Sequence, residues 1–360
     1  MRRRTLLAGL AAAAFCPAAH AQGVPAGYPA DYQQIVDAAR REARLLVYST
    51  VSVVNWRPFI ELMGRRYPGI AVETSDTSDQ WEKYYAESSA GTRTADIMLA
   101  AAPDRWMEFV ERGQVAAYDS PEKPALPAWS MPAPGVYTAS ADPVIIAYNR
   151  RALQGMAVPR SLDDVAKLLR EHPDLKGGIT AFDPEGNGMG RAIWMAWTDR
   201  RADAWQLLDA LGPALRPERS AGPMREKVIS GEYAIAVFSS GAGIPQYMTT
   251  TASRLAGWGF PSDGTPVVAR NFAITRAAQS PSAARVFLDL LLSREGQIAF
   301  AKTGQTPYRS DIAKADVPYE TLSSLTQEIG ENRVIFIAPG TAPATGEEAF
   351  VARWRQALRR

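Results

Sequence analysis

The sequence GNGMG, which begins at Gly186, has the composition of an anion-binding turn. Its glycines allow a ligand to approach the backbone closely, and the apolar run AIWMAW that follows predicts a helix. The first N–H groups of a helix have no intrahelical partner and together carry about half a positive charge. Such a helix start binds phosphate, phosphonate, sulfonate or carboxylate without a lysine. We therefore expect an anion to contact Asn187, Gly188, Met189 and Gly190.

The spacing of the glycines in this turn excludes two well-known phosphate-binding motifs. No Gly-Lys-Ser/Thr follows it, which excludes a P-loop, and the G-x-G-x-G spacing of the glycines fails the dinucleotide-binding fingerprint. A glycine-rich turn between a strand and a helix also occurs where tight packing is its only purpose. The residues of this segment alone leave that alternative open.

Two further turns have the same character. The sequence SSGAG follows a predicted strand and offers hydroxyls and backbone donors from Ser239, Ser240 and Gly241. The segment after the first predicted strand offers Ser49, Thr50 and Ser52. We expect these two turns to face the same ligand as the GNGMG turn.

Two other segments complete the predicted site. Ala101 lies in the segment that follows the strand ADIMLA. Arg270 and Asn271 lie in a later extended segment, where a guanidinium can clamp a carboxylate or phosphate with two hydrogen bonds. A surface salt bridge is the alternative role for this arginine.

The elements that must position these residues alternate between strand and helix. Residues 31–44 have helical periodicity, residues 45–48 form a short apolar strand, and the same alternation continues to Gly113. This order predicts a mostly parallel sheet that is covered by helices on both faces. In such sheets ligands bind beyond the carboxyl ends of the strands.

The second half of the chain predicts another α/β unit joined to the first by two extended segments. Residues 136–148 form a long apolar run, and Pro143 within it argues against an ordinary central strand. A strand that connects two lobes explains this run, and residues 257–275 provide a return crossing. We predict an α/β fold of two lobes, each with a mixed sheet and helices on both faces, and a hinge of two crossing strands.

The N-terminus predicts export. Three arginines precede an apolar stretch that is too short to span a bilayer, and Ala19-His20-Ala21 is a cleavage site. We expect residues 1–21 to be a signal peptide, cleaved after Ala21, for the Sec or the twin-arginine route. Removal of this leader also removes Cys16, the single cysteine, so the mature chain has no thiol chemistry.

The composition excludes several classes of partner. Lys and Arg total 40 against 38 Asp and Glu, and no basic stripe is present, which argues against nucleic acid. No later segment is long and apolar enough for membrane insertion. We expect a monomer in the periplasm, without a cofactor.

Catalysis has little support in the sequence. His172 is the only histidine beyond the leader, so a Ser-His-Asp triad would depend on a residue in a polar loop. The chain has no G-x-S-x-G elbow, no H-E-x-x-H and no Cys/His metal spacing. A glycosidase with paired carboxylates stays open.

The order of several segments resembles a known family. LLVYST, RRYPGIAVE, TADIMLAAAP, VIIAYNRRAL, ISGEYAIAVFSSG and SPSAARVFLDLLLSREGQIAFAKTGQTP follow one another along the chain. Together they resemble the periplasmic solute-binding proteins of ABC importers, in the group that includes the ferric-ion binders. The resemblance implies the type II periplasmic-binding-protein fold, a ligand in an interlobe cleft, hinge closure, and an ABC permease with its ATPase as partners. We expect lobe 1 to comprise residues 22–141 and 265–360, and lobe 2 residues 142–264.

The iron ligands that the resemblance implies are missing from this sequence. Gly241 and Ala242 stand where the ferric binders have a tyrosine pair, and Ser52 or a neighbour stands where they have a histidine. Residues 100–102 are alanines where those proteins have a glutamate. Ferric iron prefers phenolate and carboxylate oxygens. We therefore expect no metal site, and we interpret the ligand as a small organic anion, a phosphonate or phosphate ester before a carboxylate.

Two alternatives remain open within this family. The first is a ferric-ion binding protein with other site residues. The second is a binding protein that presents its ligand to a sensor kinase instead of a permease, which the sequence does not distinguish from transport.

Overall fold

A computed structural model describes residues 24–77, 79–175, 178–341 and 346–358. The predicted leader, with Cys16 and the cleavage site after Ala21, lies outside the described residues. The helices are α1 Tyr32–Glu42, α2 Val53–Arg66, α3 Gln80–Ser89, α4 Pro103–Glu111, α5 Leu162–Glu171, α6 Gly188–Asp199, α7 Ala204–Leu211, α8 Ala221–Ser230, α9 Ile244–Tyr247, α10 Ala252–Leu255, α11 Pro281–Leu292, α12 Arg294–Ala301, α13 Leu322–Ile329 and α14 Glu347–Ala357. The strands are β1 Arg44–Ser49, β2 Ala71–Asp76, β3 Ile97–Ala100, β4 Val136–Asn149, β5 Ile179–Phe182, β6 Leu215–Glu218, β7 Ile235–Ser240, β8 Ala256–Gly259, β9 Thr265–Ile274 and β10 Val334–Ile337.

One continuous path of strands joins the two lobes, in the order β2-β1-β3-β9-β4-β7-β5-β6. Strand β4 changes partners at its proline. It pairs with β9 as far as Pro143 and with β7 from Val144 onward. The predicted crossing strands are therefore confirmed as β4 and β9.

Lobe 1 has apolar cores on both faces of its sheet. Successive side chains of a strand point to opposite faces, and in β1 Leu45 and Val47 join one core while Leu46 and Tyr48 join the other. Strand β1 pairs in parallel with both β2 and β3. A parallel sheet buried on both faces is the arrangement that the strand-helix alternation predicts.

Lobe 2 also has parallel strands, but its buried apolar side chains form a single large core. Strand β5 pairs in parallel with β6 and with β7. Trp194 and Trp197 of α6 are fully buried in this core, and their rings pack against Phe238 at 4.7 and 5.8 Å. The two-lobe α/β fold of the periplasmic binding type is thus present, with mixed sheets in both lobes.

The C-terminal helix packs on lobe 2, whereas the sequence analysis assigns residues 265–360 to lobe 1. Trp354 of α14 lies 5.1 Å from Trp194, and Phe350 lies 5.3 Å from Trp205, measured between ring centroids. Both α14 residues belong to the core of lobe 2. Strand β10 pairs with β9 just before this helix. The chain therefore passes between the lobes a third time, because the apolar face of α14 matches the aromatic residues of α6 and α7.

Within the described ranges, no helix has both the length and the apolar character that crossing a bilayer requires.

Candidate ligand-binding cleft

A cleft of about 950 Å³ lies between the lobes, at the carboxyl ends of six strands. Lobe 1 contributes the ends of β1, β2 and β3, and lobe 2 contributes the ends of β5, β6 and β7. Parallel strands of one sheet end at the same edge, so each lobe collects three turns on its side of the cleft. The predicted site residues that line this cleft are Thr50, Ala101, Asn187, Gly188, Met189, Ser240 and Arg270.

The helix that the run AIWMAW predicts begins earlier, at Gly188, so the glycine turn supplies the first residues of α6. Asn187 is the N-cap, and its side-chain oxygen accepts a hydrogen bond of 2.6 Å from the N–H of Gly190. Its amide nitrogen donates to the backbone oxygen of Arg219 at 2.8 Å, which ties this turn to the next one. Gly188 and Met189 line the cleft at the positive end of the helix dipole.

Two glycines of the α6 turn have different roles. A Cβ on Gly190 would lie 2.5 Å from the Cβ of Phe182, so this glycine allows the helix to pack on β5. Its N–H is used by Asn187, and Gly190 does not line the cleft. A Cβ on Gly188 would meet no heavy atom closer than 3.9 Å, because it would project into open space beside Asp104 and Arg191. Gly188 is thus the glycine of this turn that borders open space in the cleft.

A β-bulge directs the end of β7. Two residues of β7, Val237 and Phe238, lie opposite one residue of β4, and Phe238 has a φ of 53°. This backbone conformation is unfavourable for a bulky residue, and the packing of its ring on Trp194 holds it in place. Ser240 lines the cleft after this bulge, while Ser239 is buried.

Gly241 is a packing residue and does not line the cleft. A Cβ at this position would lie 2.4 Å from the carbonyl oxygen of Pro143. The close approach of β7 to the crossing strand therefore requires glycine. For this turn, the tight-packing alternative describes Gly241, and only Ser240 contributes to the cleft wall.

A third turn of lobe 2 was missed by the sequence analysis. Strand β6 ends at Glu218, and Arg219 and Ser220 follow it into the cleft at the start of α8. Ser220 is the N-cap of α8, but its hydroxyl makes no capping hydrogen bond. In the described part of the chain, the guanidinium of Arg219 has no carboxylate within ion-pair distance. The signal in the sequence was the serine before a helical run, RPERS followed by AGPMREKVIS.

The turn after β1 divides between the core and the cleft. Thr50 is exposed and lines the cleft. Ser49 is fully buried, and its hydroxyl oxygen accepts hydrogen bonds from the N–H of Val51 at 2.8 Å and from Trp56 Nε1 at 3.3 Å. Ser52 caps α2 without a side-chain hydrogen bond and lies off the cleft. Of these three hydroxyls, only that of Ser49 shapes the loop through hydrogen bonds within it.

Arg270 is part of a buried network at the crossing strands. Its Nε donates to Asp142 Oδ2 at 3.1 Å, and one terminal nitrogen donates to Thr50 Oγ1 at 3.1 Å. The residue is only 6% exposed but still lines the cleft. Asn271 points away from the cleft, where its Nδ2 donates to Thr138 Oγ1 at 3.0 Å. The network fixes Arg270 at the hinge, with its charge balanced by Asp142.

An ion pair connects the lobes beside the α6 turn. Arg191 of α6 contacts Asp104 of α4 at 3.0 Å and Glu347 of α14 at 3.1 Å. The arginine side chain is only 19% exposed. Because Asp104 belongs to lobe 1 and Arg191 to lobe 2, this pair holds the two cleft walls together.

The remaining wall of lobe 1 is acidic and aromatic. Trp81 and Asp76 line it, together with Gln80 at the start of α3. Over the described ranges, no group of three or more His, Cys, Asp or Glu side chains has the arrangement of a metal site.

Comparison with known proteins gives the same fold. The substrate-binding protein of an ABC transporter from Agrobacterium tumefaciens superposes with a TM-score of 0.80 at 23% identity, covering 88% of this chain and 94% of that one. Iron-bound HitA from Pseudomonas aeruginosa has a TM-score of 0.64 at 15% identity, covering 88% and 98%. AfuA from Actinobacillus pleuropneumoniae, with fructose-6-phosphate bound, has a TM-score of 0.61 at 16% identity, covering 88% and 96%.

The sequence itself matches a family over most of its length. None of the curated proteins matches it. Residues 53–298 match the family described as bacterial extracellular solute-binding protein. This segment includes both crossing strands and every residue that lines the cleft except Thr50 and Glu347. The chain belongs to the bacterial extracellular solute-binding protein family.

Proposed function

We propose that this protein is the periplasmic solute-binding component of an ABC importer and that it captures a small organic anion. The observation that carries the proposal is the wall of lobe 2. Three parallel strands end there side by side, and their turns present the start of α6, the start of α8, the hydroxyl of Ser240 and the unpaired guanidinium of Arg219. Helix starts and a guanidinium together favour a phosphate, phosphonate or carboxylate group.

The relatives support this ligand class and also name an alternative. AfuA carries a sugar phosphate in its structure, and HitA carries iron. The turns of lobe 2 supply hydrogen-bond donors to an anion. The cleft lining includes six carboxylates but no tyrosine or histidine, and over the described residues no three acidic groups have the arrangement of a metal site. Ferric ion prefers anionic oxygen ligands. Ferric binding is therefore the second candidate, favoured by the likeness to HitA alone.

The expected action is capture by hinge closure. The ligand enters between the lobes, contacts the turns of one lobe, and shifts the lobes toward the closed form. The ion pair between Arg191 and Asp104 stabilises the closed form, because its two members lie on different lobes. The closed protein then delivers the ligand to the permease and its ATPase.

Thermal unfolding of the mature protein tests the proposal. The panel contains alkylphosphonates, sugar phosphates, sulfonates, mono- and dicarboxylates, and ferric citrate. A ligand at 100 times its dissociation constant stabilises the fold by about 2.7 kcal/mol. We expect stabilisation by an organic anion. A shift with ferric citrate alone would establish the iron alternative instead.

A further inference from the structure

The ionised side chains of the cleft are almost all paired. On lobe 1 and α14, carboxylates meet arginines in the pairs Glu82–Arg105, Glu108–Arg105, Asp104–Arg191 and Glu347–Arg191. On lobe 2, Glu185 meets Arg355. Five carboxylates share three arginines in these pairs, so each of these carboxylates already has a basic partner within ion-pair distance.

Two charges in the cleft are exceptions, and they lie on opposite walls. In the part of the chain that the structure describes, Asp76 has no basic group within 4.0 Å and makes no side-chain hydrogen bond, and Arg219 has no acidic group within that distance. Asp76 is the last residue of β2 in lobe 1, and Arg219 follows β6 in lobe 2. Both are exposed to the cleft. One wall therefore offers an uncompensated negative charge and the other an uncompensated positive charge.

An orphaned acceptor lies on the same wall as Asp76. Gln80 is fully buried and lines the cleft four residues further along the chain. Its Nε2 donates to the backbone oxygen of Leu99 at 3.4 Å, but its Oε1 has no hydrogen-bond partner. A buried oxygen without a donor is costly. A ligand that donates hydrogen bonds on this side of the cleft would satisfy it.

We propose that the ligand is a zwitterion, with an anionic group on the lobe 2 wall and a protonated amine on the lobe 1 wall. The inference rests on the proposed anion-binding function and adds the amine. Arg219 and the starts of α6 and α8 receive the phosphonate or carboxylate. Asp76 and Gln80 Oε1 accept hydrogen bonds from the ammonium group, which has donors but no acceptor. A zwitterion that spans the cleft contacts both lobes, so its binding energy favours closure.

Isothermal titration with matched pairs of small molecules tests the proposal. The probes are 2-aminoethylphosphonate against ethylphosphonate, and 4-aminobutanoate against butanoate. Within each pair the amine is the only difference. We expect the amine to strengthen binding by about 10- to 100-fold, which is the effect of one or two hydrogen bonds between charged groups. The two pairs also distinguish a phosphonate from a carboxylate head group.

Single substitutions test whether the amine binds at the lobe 1 wall and the anionic group at the lobe 2 wall. In Asp76→Asn the preference for the amine should fall to less than threefold, while ethylphosphonate should bind no more weakly than it does to the wild type, because a like charge is removed from the cleft. Arg219→Gln should weaken both members of a pair equally, because it changes the anion side only. The matched controls are Asp174→Asn and Arg65→Ala, which change exposed charges outside the cleft and should alter neither affinity.

The outcomes separate this inference from the function on which it rests. If both members of each pair bind equally, the zwitterion is wrong and the anion site stands. If the preference persists in Asp76→Asn, the amine does not bind at the assigned wall and the proposal is overturned. If no anion of either pair binds but another anion of the wider panel does, this inference fails and the proposed function stands. If no anion of that panel binds either, both fail.

Discussion

Two turns of lobe 2 look alike in sequence and differ in structure. Both lie at the carboxyl end of a strand and contain glycines next to polar residues. NGMG follows β5, and SSGAG comprises the last two residues of β7 and the three that follow. In the first, a Cβ on Gly188 would meet nothing closer than 3.9 Å and would project into the cleft. In the second, a Cβ on Gly241 would lie 2.4 Å from the Pro143 oxygen. The glycines predict a turn in both segments. Whether the missing side chain leaves open space or allows close packing depends on the element that lies opposite.

The strongest test of this comparison is Gly241→Ala. The new methyl group would overlap the backbone of the crossing strand, which has no flexible end to yield. We expect unfolding to become easier by about 3 kcal/mol or more, a fall in Tm of roughly 5 to 10 °C. Differential scanning calorimetry measures it.

Gly243→Ala is the matched control in the same turn. The nearest atoms to a Cβ on Gly243 lie 3.9 Å away, and its φ of −83° suits any residue. We expect its Tm to change little. A similar fall in both variants would show that the turn as a whole, and not the contact with Pro143, sets the cost.

The second prediction concerns Asp289, whose carboxyl group is buried in lobe 1. Burial raises the pKa of Asp289 to about 6, against hydrogen bonds from Ser120, Tyr118 and Tyr32 that lower it. Between pH 4 and 6 the folded protein then holds a proton that the unfolded chain has released. The raised pKa therefore adds up to about 3 kcal/mol to the free energy of unfolding at pH 4, and this contribution is lost as the pH rises through 6.

Asp289→Asn removes that titration. The free energy of unfolding of the wild type minus that of the variant, from urea denaturation at each pH, should fall between pH 4 and 6.5. A flat or rising difference would contradict the raised pKa.

Gly188→Val is the third prediction and tests the other turn. The side chain would enter the cleft beside Asp104, so it blocks an anion from the start of α6. We expect the affinity for the best anion of the panel to fall about 10- to 100-fold, on the scale of a lost charge-assisted contact. Calorimetric titration measures it.

Gly190→Ala gives the opposite pattern in the same turn. Its methyl group would lie 2.5 Å from the Cβ of Phe182, inside the lobe and away from the ligand. The variant should lose stability and retain most of its affinity. Equal losses of affinity in both variants would remove the distinction between the two glycines.

The smallest expected effect separates two neighbouring serines. Ser240 lines the cleft and Ser239 is buried. Ser240→Ala should weaken anion binding by about 3- to 10-fold, the effect of one hydrogen bond. Ser239→Ala should leave the affinity unchanged. A larger effect of Ser239→Ala on affinity would show that the bulge at Phe238 does not orient the two hydroxyls as described.

The sequence predicts the parts of the fold that depend on local signals. Strand-helix alternation and Pro143 are sufficient to predict two lobes and a long crossing strand, and the apolar run AIWMAW predicts α6. Strand β6 was missed because Pro217 and charged residues interrupt it. It is the edge strand of its sheet, where proline is tolerated, so the turn that presents Arg219 was missed with it.

Long-range partners lie beyond what the sequence indicates. Helix α14 packs on lobe 2 through Phe350 and Trp354, although its position in the chain suggests lobe 1. The ion pair between Arg191 and Asp104 joins residues that are 87 positions apart in the sequence. The assignment of Gly188 to the ligand and Gly241 to packing likewise depends on which backbone lies opposite, and no local pattern encodes that.

The most direct test of the anion site is an NMR titration of protein labelled with ¹⁵N-glycine. Ethylphosphonate is added and the amide signals of Gly188 and Gly243 are followed, each assigned by its alanine variant. Because an anion would accept a hydrogen bond at the start of α6, we predict a saturable downfield shift of the Gly188 amide proton and no shift for Gly243. Saturable binding of the phosphonate that leaves the Gly188 signal unchanged would contradict the account.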